Sequence, residues 1–351
     1  MSYIKKEQES HQGFFPYLVF LASFLLIYVE DSLLFYSPSI LIAVGFLFLY
    51  FMIGKLPLGT DFFVVVIIFG ASIFLSENQS YKELLRVVYI YGGISLAYYY
   101  RNISKILLFK YLYLIFFFVF FFDLALRIIN NAGSLSLSIY SIKGGGGLFS
   151  DSNYSGLLIS VIIIELFERN RKIFTPSILL LLLFLISTYS RTPFFMLLFY
   201  LISARYVILS RFILLTLFCM LLFLAYYPNS LGVDLELIDG SLNTKFYILQ
   251  SFASFTESDL NTLIFGMGRA NEEVLEVFRW TGHTIFGQIV QFGFLQVLLL
   301  VFVLYRYLKI YSSNGDAMFN TILFGGLFSF FPSSYIGLIL LTVSAIRFSK
   351  H

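Results

Sequence analysis

The residues of this chain that can do chemistry are one histidine, one arginine in a tight turn, and a few further cations. His283 stands away from the termini, unlike His11 and His351. It follows Gly282 and precedes a run that stays apolar to about Tyr305, so it begins a long helix. A helix N-terminus disfavours the imidazolium. The ring is then neutral and able to take a proton, as general-base work requires. The plainer alternative is a satisfied interfacial histidine. Thr284 beside it can hold the ring or a substrate hydroxyl. Arg191 lies in Ser187-Thr188-Tyr189-Ser190-Arg191-Thr192-Pro193, where one apolar run ends and the next begins. Pro193 is at a permitted first-turn position. Arg191 is either an arginine snorkelling to a membrane interface or an anion site, because guanidinium grips phosphate oxygens in pairs. Tyr189 joins the loop tyrosines that can stack on sugar rings.

Further candidates share the face that carries Arg191. Arg269 follows two glycines in Gly266-Met267-Gly268-Arg269, and Arg127 ends a predicted helix. Both have the alternative of a solvated loop or helix-end charge. Lys245 precedes the apolar Phe246-Tyr247-Ile248-Leu249 and can line a lipid-facing groove. Gly266 and Gly268 can adopt positive φ and bring backbone close to a ligand. Asn271 then caps a short helix with Glu272 and Glu273 in its first turn and Val274, Leu275 and Phe278 on one face. Such a segment suits a membrane interface. In Gly147-Leu148-Phe149-Ser150-Asp151-Ser152-Asn153, Asp151 or Ser152 can cap a helix, while Asp151 and Asn153 are also candidates for substrate contact. The preceding four glycines are not a P-loop, since no Gly-Lys-Ser/Thr follows. Cys219 is the one cysteine and two of the three histidines are terminal, so no intrachain disulfide and no cysteine- or histidine-built metal site is expected, and no motif calls for a cofactor.

The elements that must position these residues are membrane helices. The chain has 351 residues, 59% hydrophobic and 12% charged, with mean hydropathy +0.87. That composition predicts an all-α polytopic membrane protein, a single integral membrane domain over 1–351. Twelve spans are predicted near 14–29, 33–53, 61–76, 86–100, 106–127, 153–168, 173–189, 192–209, 212–227, 284–305, 317–331 and 333–347. The first is read as a retained helix rather than a removed signal peptide. With both termini cytoplasmic, fifteen of the 23 lysines and arginines fall inside and eight outside. A large outer loop, 228–282, then lies between the ninth and tenth spans and holds the short interfacial helix. Asp123 and Glu165 fall near helix ends. A transporter usually keeps charge near the midplane, so this placement counts against transport. No nucleic-acid partner is expected; the lipid bilayer is.

Three segments in order, GLFSDSN at 147–153, STYSRTPF at 187–194, and GMGR with GHTIFGQIVQFGFLQVLLL at 266–269 and 282–300, resemble the bacterial O-antigen polymerase and O-antigen ligase superfamily. The resemblance covers roughly residues 140–310. It implies a metal-independent glycosyltransferase of the cytoplasmic (inner) membrane, active on the periplasmic side. Donor and acceptor would be undecaprenyl-diphosphate-linked oligosaccharides, and a chain-length regulator protein would be a partner. Arg191 would bind the diphosphate, and His283 would serve as base or orient the acceptor hydroxyl. Thr284 stands where the family, ligases especially, usually has asparagine, and Lys245 where many members have arginine. The first departure favours a polysaccharide polymerase over a ligase that transfers glycan to lipid A-core. A lipid-linked oligosaccharide flippase is the rival from another class.

Overall fold

Apolar runs of 12 to 27 residues dominate the part of the chain described by the computed structural model, and they form helices. That part comprises residues 105–131, 152–172, 175–227, 240–267 and 284–329, together with Ile339 and Val343. The helices are α1 Lys105–Asn131, α2 Ser152–Asn170, α3 Pro176–Ser187, α4 Arg191–Arg205, α5 Val207–Tyr226, α6 Gly240–Phe255, α7 Leu260–Phe265, α8 Ile285–Tyr311 and α9 Gly315–Phe328. The spans predicted near 14–29, 33–53, 61–76 and 86–100 lie outside the described residues. So does most of 333–347, where Ile339 and Val343 are helical and buried.

The described part is all helical, and α5 and α8 are long and apolar enough to cross a membrane. This is compatible with a helical membrane protein. Their outer faces agree with that reading. α5 leaves Ile208 84% exposed, with Phe212, Leu215 and Phe223 exposed beside it. An apolar surface of this extent marks contact with lipid or with another protein.

Helix boundaries follow local chemistry. Thr175 caps α3 by accepting from the Ile178 N–H at 3.4 Å, and Pro176 opens the helix. The boundary expected near residue 210 falls instead at Tyr206, a single residue between α4 and α5 with φ −134° and ψ 72°. A buried polar cluster closes that joint. The Asn320 Nδ2 of α9 donates to Ser210 Oγ at 2.8 Å and to Ser203 Oγ at 3.3 Å, and the two hydroxyls lie 3.0 Å apart. Inside a bilayer such polar contacts fasten helices that lipid would otherwise separate. α9 packs along both α4 and α8, with Phe199 and Phe324 stacked at 4.5 Å.

The segment read as an outer loop contains two helices. α6 turns Ile248, Leu249, Phe252 and Phe255 into the core and packs on α5 and α8. The interfacial helix expected after Asn271 lies outside the described residues. α7 is capped by Asp259, whose carboxylate accepts from the backbone of Asn261 and Thr262. α7 ends at Gly266, which backs directly onto α8 where α8 is broken, at Gly293. Both glycines lie in a region of backbone space open essentially to glycine alone, with φ 87°, ψ 167° and φ 79°, ψ 165°. The Met267 N–H donates to the Val290 carbonyl at 2.9 Å across this junction. Gly266 takes the positive φ expected from the sequence, and it lies against the backbone of α8. The break bends α8. The Phe252 ring packs on both sides of this kink, 5.1 Å from Phe286 and 6.1 Å from Phe294.

One end of the bundle is basic and latched. Glu165, fully buried on α2, accepts hydrogen bonds from the Ser312 hydroxyl and from the Ser313 N–H, the latter at 3.3 Å. The Tyr200 hydroxyl donates to Glu168 at 2.9 Å, and Arg171 pairs with the same carboxylate at 2.8 Å. Asp316 joins Arg211 at 2.9 Å and Lys309 at 3.6 Å. These contacts gather the C-terminal ends of α2, α4 and α8 with the N-terminal ends of α5 and α9.

Candidate functional site

At the opposite end, the α3–α4 turn meets the start of α2. Thr188 ends α3 and bends its hydroxyl back to the Leu185 carbonyl at 2.7 Å, while the same oxygen accepts from the Ser190 N–H at 3.3 Å. Between them Tyr189 is held at φ 49° with its ring exposed. A bulky residue with positive φ is an uncommon conformation that surrounding contacts must enforce. Ser190 occupies the N-cap of α4 but makes no side-chain cap hydrogen bond. Its hydroxyl donates instead to Asn153 Oδ1 at 2.5 Å.

That hydrogen bond joins the first two segments singled out from sequence. A close approach below it fixes their register. Gly156 lies so near Pro193 that an added Cβ would come within 2.5 Å of Pro193 Cγ, and the Ser160 hydroxyl reaches the Pro193 carbonyl at 3.3 Å. Two helix N-termini, those of α2 and α4, therefore converge beside Arg191, which is exposed. Helix N-termini present N–H groups and a partial positive charge, and an added guanidinium makes the neighbourhood attractive to phosphate or carboxylate.

The remaining candidates take other places. Arg127 is no loose cation: it is buried and bound side-on to Asp123, with Nε to Oδ2 at 3.0 Å and Nη2 to Oδ1 at 3.4 Å. The i, i+4 spacing on α1 makes the pair, and its burial differs from the solvated helix-end charge given above as the alternative to a substrate contact. Thr284 caps α8 by accepting from the Gly287 N–H at 3.2 Å, so its oxygen is engaged by the helix. Lys245 is half-buried on α6, the helix held to α8 by the Phe252 and Phe286 rings. His283, Arg269 and Asp151 lie outside the described residues. Among the described residues no group of histidine, cysteine and carboxylate side chains is arranged to hold a metal ion.

Two polar groups escaped the sequence reading. Ser155, in the first turn of α2, and Gln296, just beyond the break in α8, are buried with no hydrogen-bond partner for Ser155 Oγ or for either carboxamide atom of Gln296. A serine or glutamine inside an apolar run carries no signal of this state, because a serine in a helix ordinarily bonds its own backbone.

No protein-family model, curated protein or solved structure matches the chain.

Proposed function

We propose that this protein is an O-antigen-type polysaccharide polymerase of the bacterial cytoplasmic membrane, with twelve spans, both termini cytoplasmic and its site on the periplasmic side. It transfers a growing glycan from undecaprenyl diphosphate to a lipid-linked repeat unit. The observation that carries this reading is the Ser190–Asn153 hydrogen bond, which unites two of the three motif segments beside Arg191 and two helix N-termini. The site also stands at the end of the bundle opposite the latched basic end. By the positive-inside bias that is the outer face, where a lipid-linked glycan is met.

The chemistry follows from the charges. The acceptor hydroxyl oxygen attacks the anomeric carbon, the carbon–oxygen bond to phosphate breaks, and undecaprenyl diphosphate leaves with the bonding pair. Negative charge grows on the leaving phosphate, where Arg191 and the N–H groups of α2 and α4 stabilise it. The hydroxyl proton passes to His283, one residue before the cap of α8. Holding two lipid-anchored substrates in one site supplies the proximity contribution.

Deletion of the gene, followed by gel analysis of the surface polysaccharide, tests the reading. A polymerase deletion leaves single-repeat caps. Loss of all attached glycan with lipid-linked polymer accumulating identifies a ligase instead. Accumulation of repeat units on the cytoplasmic face identifies a flippase.

A further inference from the structure

A second site lies on the basic side of the bundle, between the two helices long and apolar enough to cross a membrane. A groove of about 620 Å³ runs between α5, α8 and α9, and its walls include Leu215, Phe218, Leu298, Phe302 and Leu323. Leu215, Leu298 and Phe302 are themselves exposed, so the groove opens sideways along the apolar surface. On α5 the lining runs from Arg211 to Phe218. That stretch rises about 10 Å, somewhat less than the roughly 15 Å hydrocarbon depth of one leaflet. Ile285, at the N-terminal end of α8, also lines the groove, and its neighbour Phe286 stacks on Phe218.

The near end is cationic. Arg211 lines the groove with its side chain 51% exposed, and Lys309 is 47% exposed. Lys309 Nζ sits 4.9 Å above the ring of Tyr305, another lining residue. Both cations share one carboxylate, Asp316, which among the described residues leaves one positive charge in excess at the mouth. The combination is an apolar slot that runs through much of one leaflet's depth, with cations at its mouth.

We infer that this groove binds an anionic phospholipid of the leaflet on the basic side, an acyl chain lying between α5 and α8 and the phosphate meeting Arg211 and Lys309. Charge complementarity selects an anionic headgroup over a zwitterionic one. A groove that opens on lipid-facing helices excludes a water-soluble partner. The inference rests on the membrane reading proposed above and not on its catalytic part. A chain that stays soluble without detergent defeats the membrane reading. A detergent-extracted chain without lipid preference defeats only the inference.

The test is native mass spectrometry of the full chain in detergent, with phosphatidylglycerol and chain-matched phosphatidylcholine added. Wild-type protein should retain phosphatidylglycerol about fivefold more strongly, the scale of one basic residue at a membrane surface. Arg211→Gln should abolish that preference, and Leu298→Trp, which fills the slot, should weaken both lipids. Asp316→Asn separates the lipid site from a structural role of the ion pair. It breaks the same salt bridge as Arg211→Gln but frees two cations, so phosphatidylglycerol retention should rise about fivefold. Equal retention of the two lipids by wild-type protein overturns the inference, as does a fall in both Arg211→Gln and Asp316→Asn.

Discussion

Two arginines show how burial divides residues of one type into different roles. Arg191 is exposed at a turn where two helix N-termini meet, whereas Arg127 is enclosed with Asp123. A point charge cannot replace a bidentate fork on a diphosphate. Under the proposed function, Arg191→Lys is therefore expected to slow polymerisation at least about tenfold, the scale of one charge-assisted hydrogen bond. Purified protein with lipid-linked repeat units measures this; wild-type polymer length from a folded variant assigns Arg191 to interface anchoring alone. At Arg127 the expected effect is on stability. Asp123→Asn leaves a buried guanidinium short of its counter-ion, a change that costs roughly 3–5 kcal/mol where burial is complete. Thermal unfolding in detergent should show a marked loss, while Asp123→Glu should retain part of the pair.

Among the elements, the docking of α7 onto the broken α8 carries the clearest constraint. Gly293→Ala places a side chain in backbone space reserved for glycine and against the Ile264 carbonyl. The strained conformation alone costs about 1–3 kcal/mol. The expected result is release of α7, read as faster hydrogen exchange at the Met267 amide, with the basic end unaffected. The cap of α7 adds a pH dependence. The Thr262 hydroxyl and backbone N–H hold the Asp259 carboxyl below the ordinary aspartate range. A depressed value means that the cap's contribution is fully present above the unfolded-state value near pH 4 and is lost as pH falls through the folded value. Amide protection at Asn261 and Thr262, taken relative to the intrinsic exchange rate at each pH, should therefore fall only on acidification below about pH 4, and Asp259→Asn should remove that pH dependence.

For the whole molecule, the charge distribution and the latches make one prediction. Arg171, Arg211 and Lys309 stand at the end where Glu165 reaches Ser312 and Asp316 joins two cations, and Arg191 stands at the other. If the positive-inside bias holds for the proposed membrane protein, reporter fusions within 169–172 and 306–309 should read as cytoplasmic and a fusion at residue 240 as external. A cytoplasmic signal at 240 would invert the topology and remove the proposed site from the periplasm.

Hydrophobic run length is a local property, and it alone determined the helical class and the approximate extent of α1, α2, α5, α8 and α9. Lys105–Asn131 and Ile285–Tyr311 are too apolar and too long to be anything else. Two further local features, Pro176 after Thr175 opening α3 and the i, i+4 spacing of Asp123 and Arg127, are written in the sequence but take their meaning only once the cap and the pair are seen. Other features depend on what approaches from far along the chain. Ser190 could have capped α4, but Asn153, 37 residues away, captures its hydroxyl. Gly293 sits in an unbroken apolar run, and its helix breaks where Gly266 backs onto it. The helix α6, within a stretch read as loop, gains its place by burying Phe252 and Phe255 against α5 and α8. Hydrogen bonds and close backbone contacts between distant segments are settled by which partners the packing brings within a few ångströms, and a single chain read in order does not contain that distance.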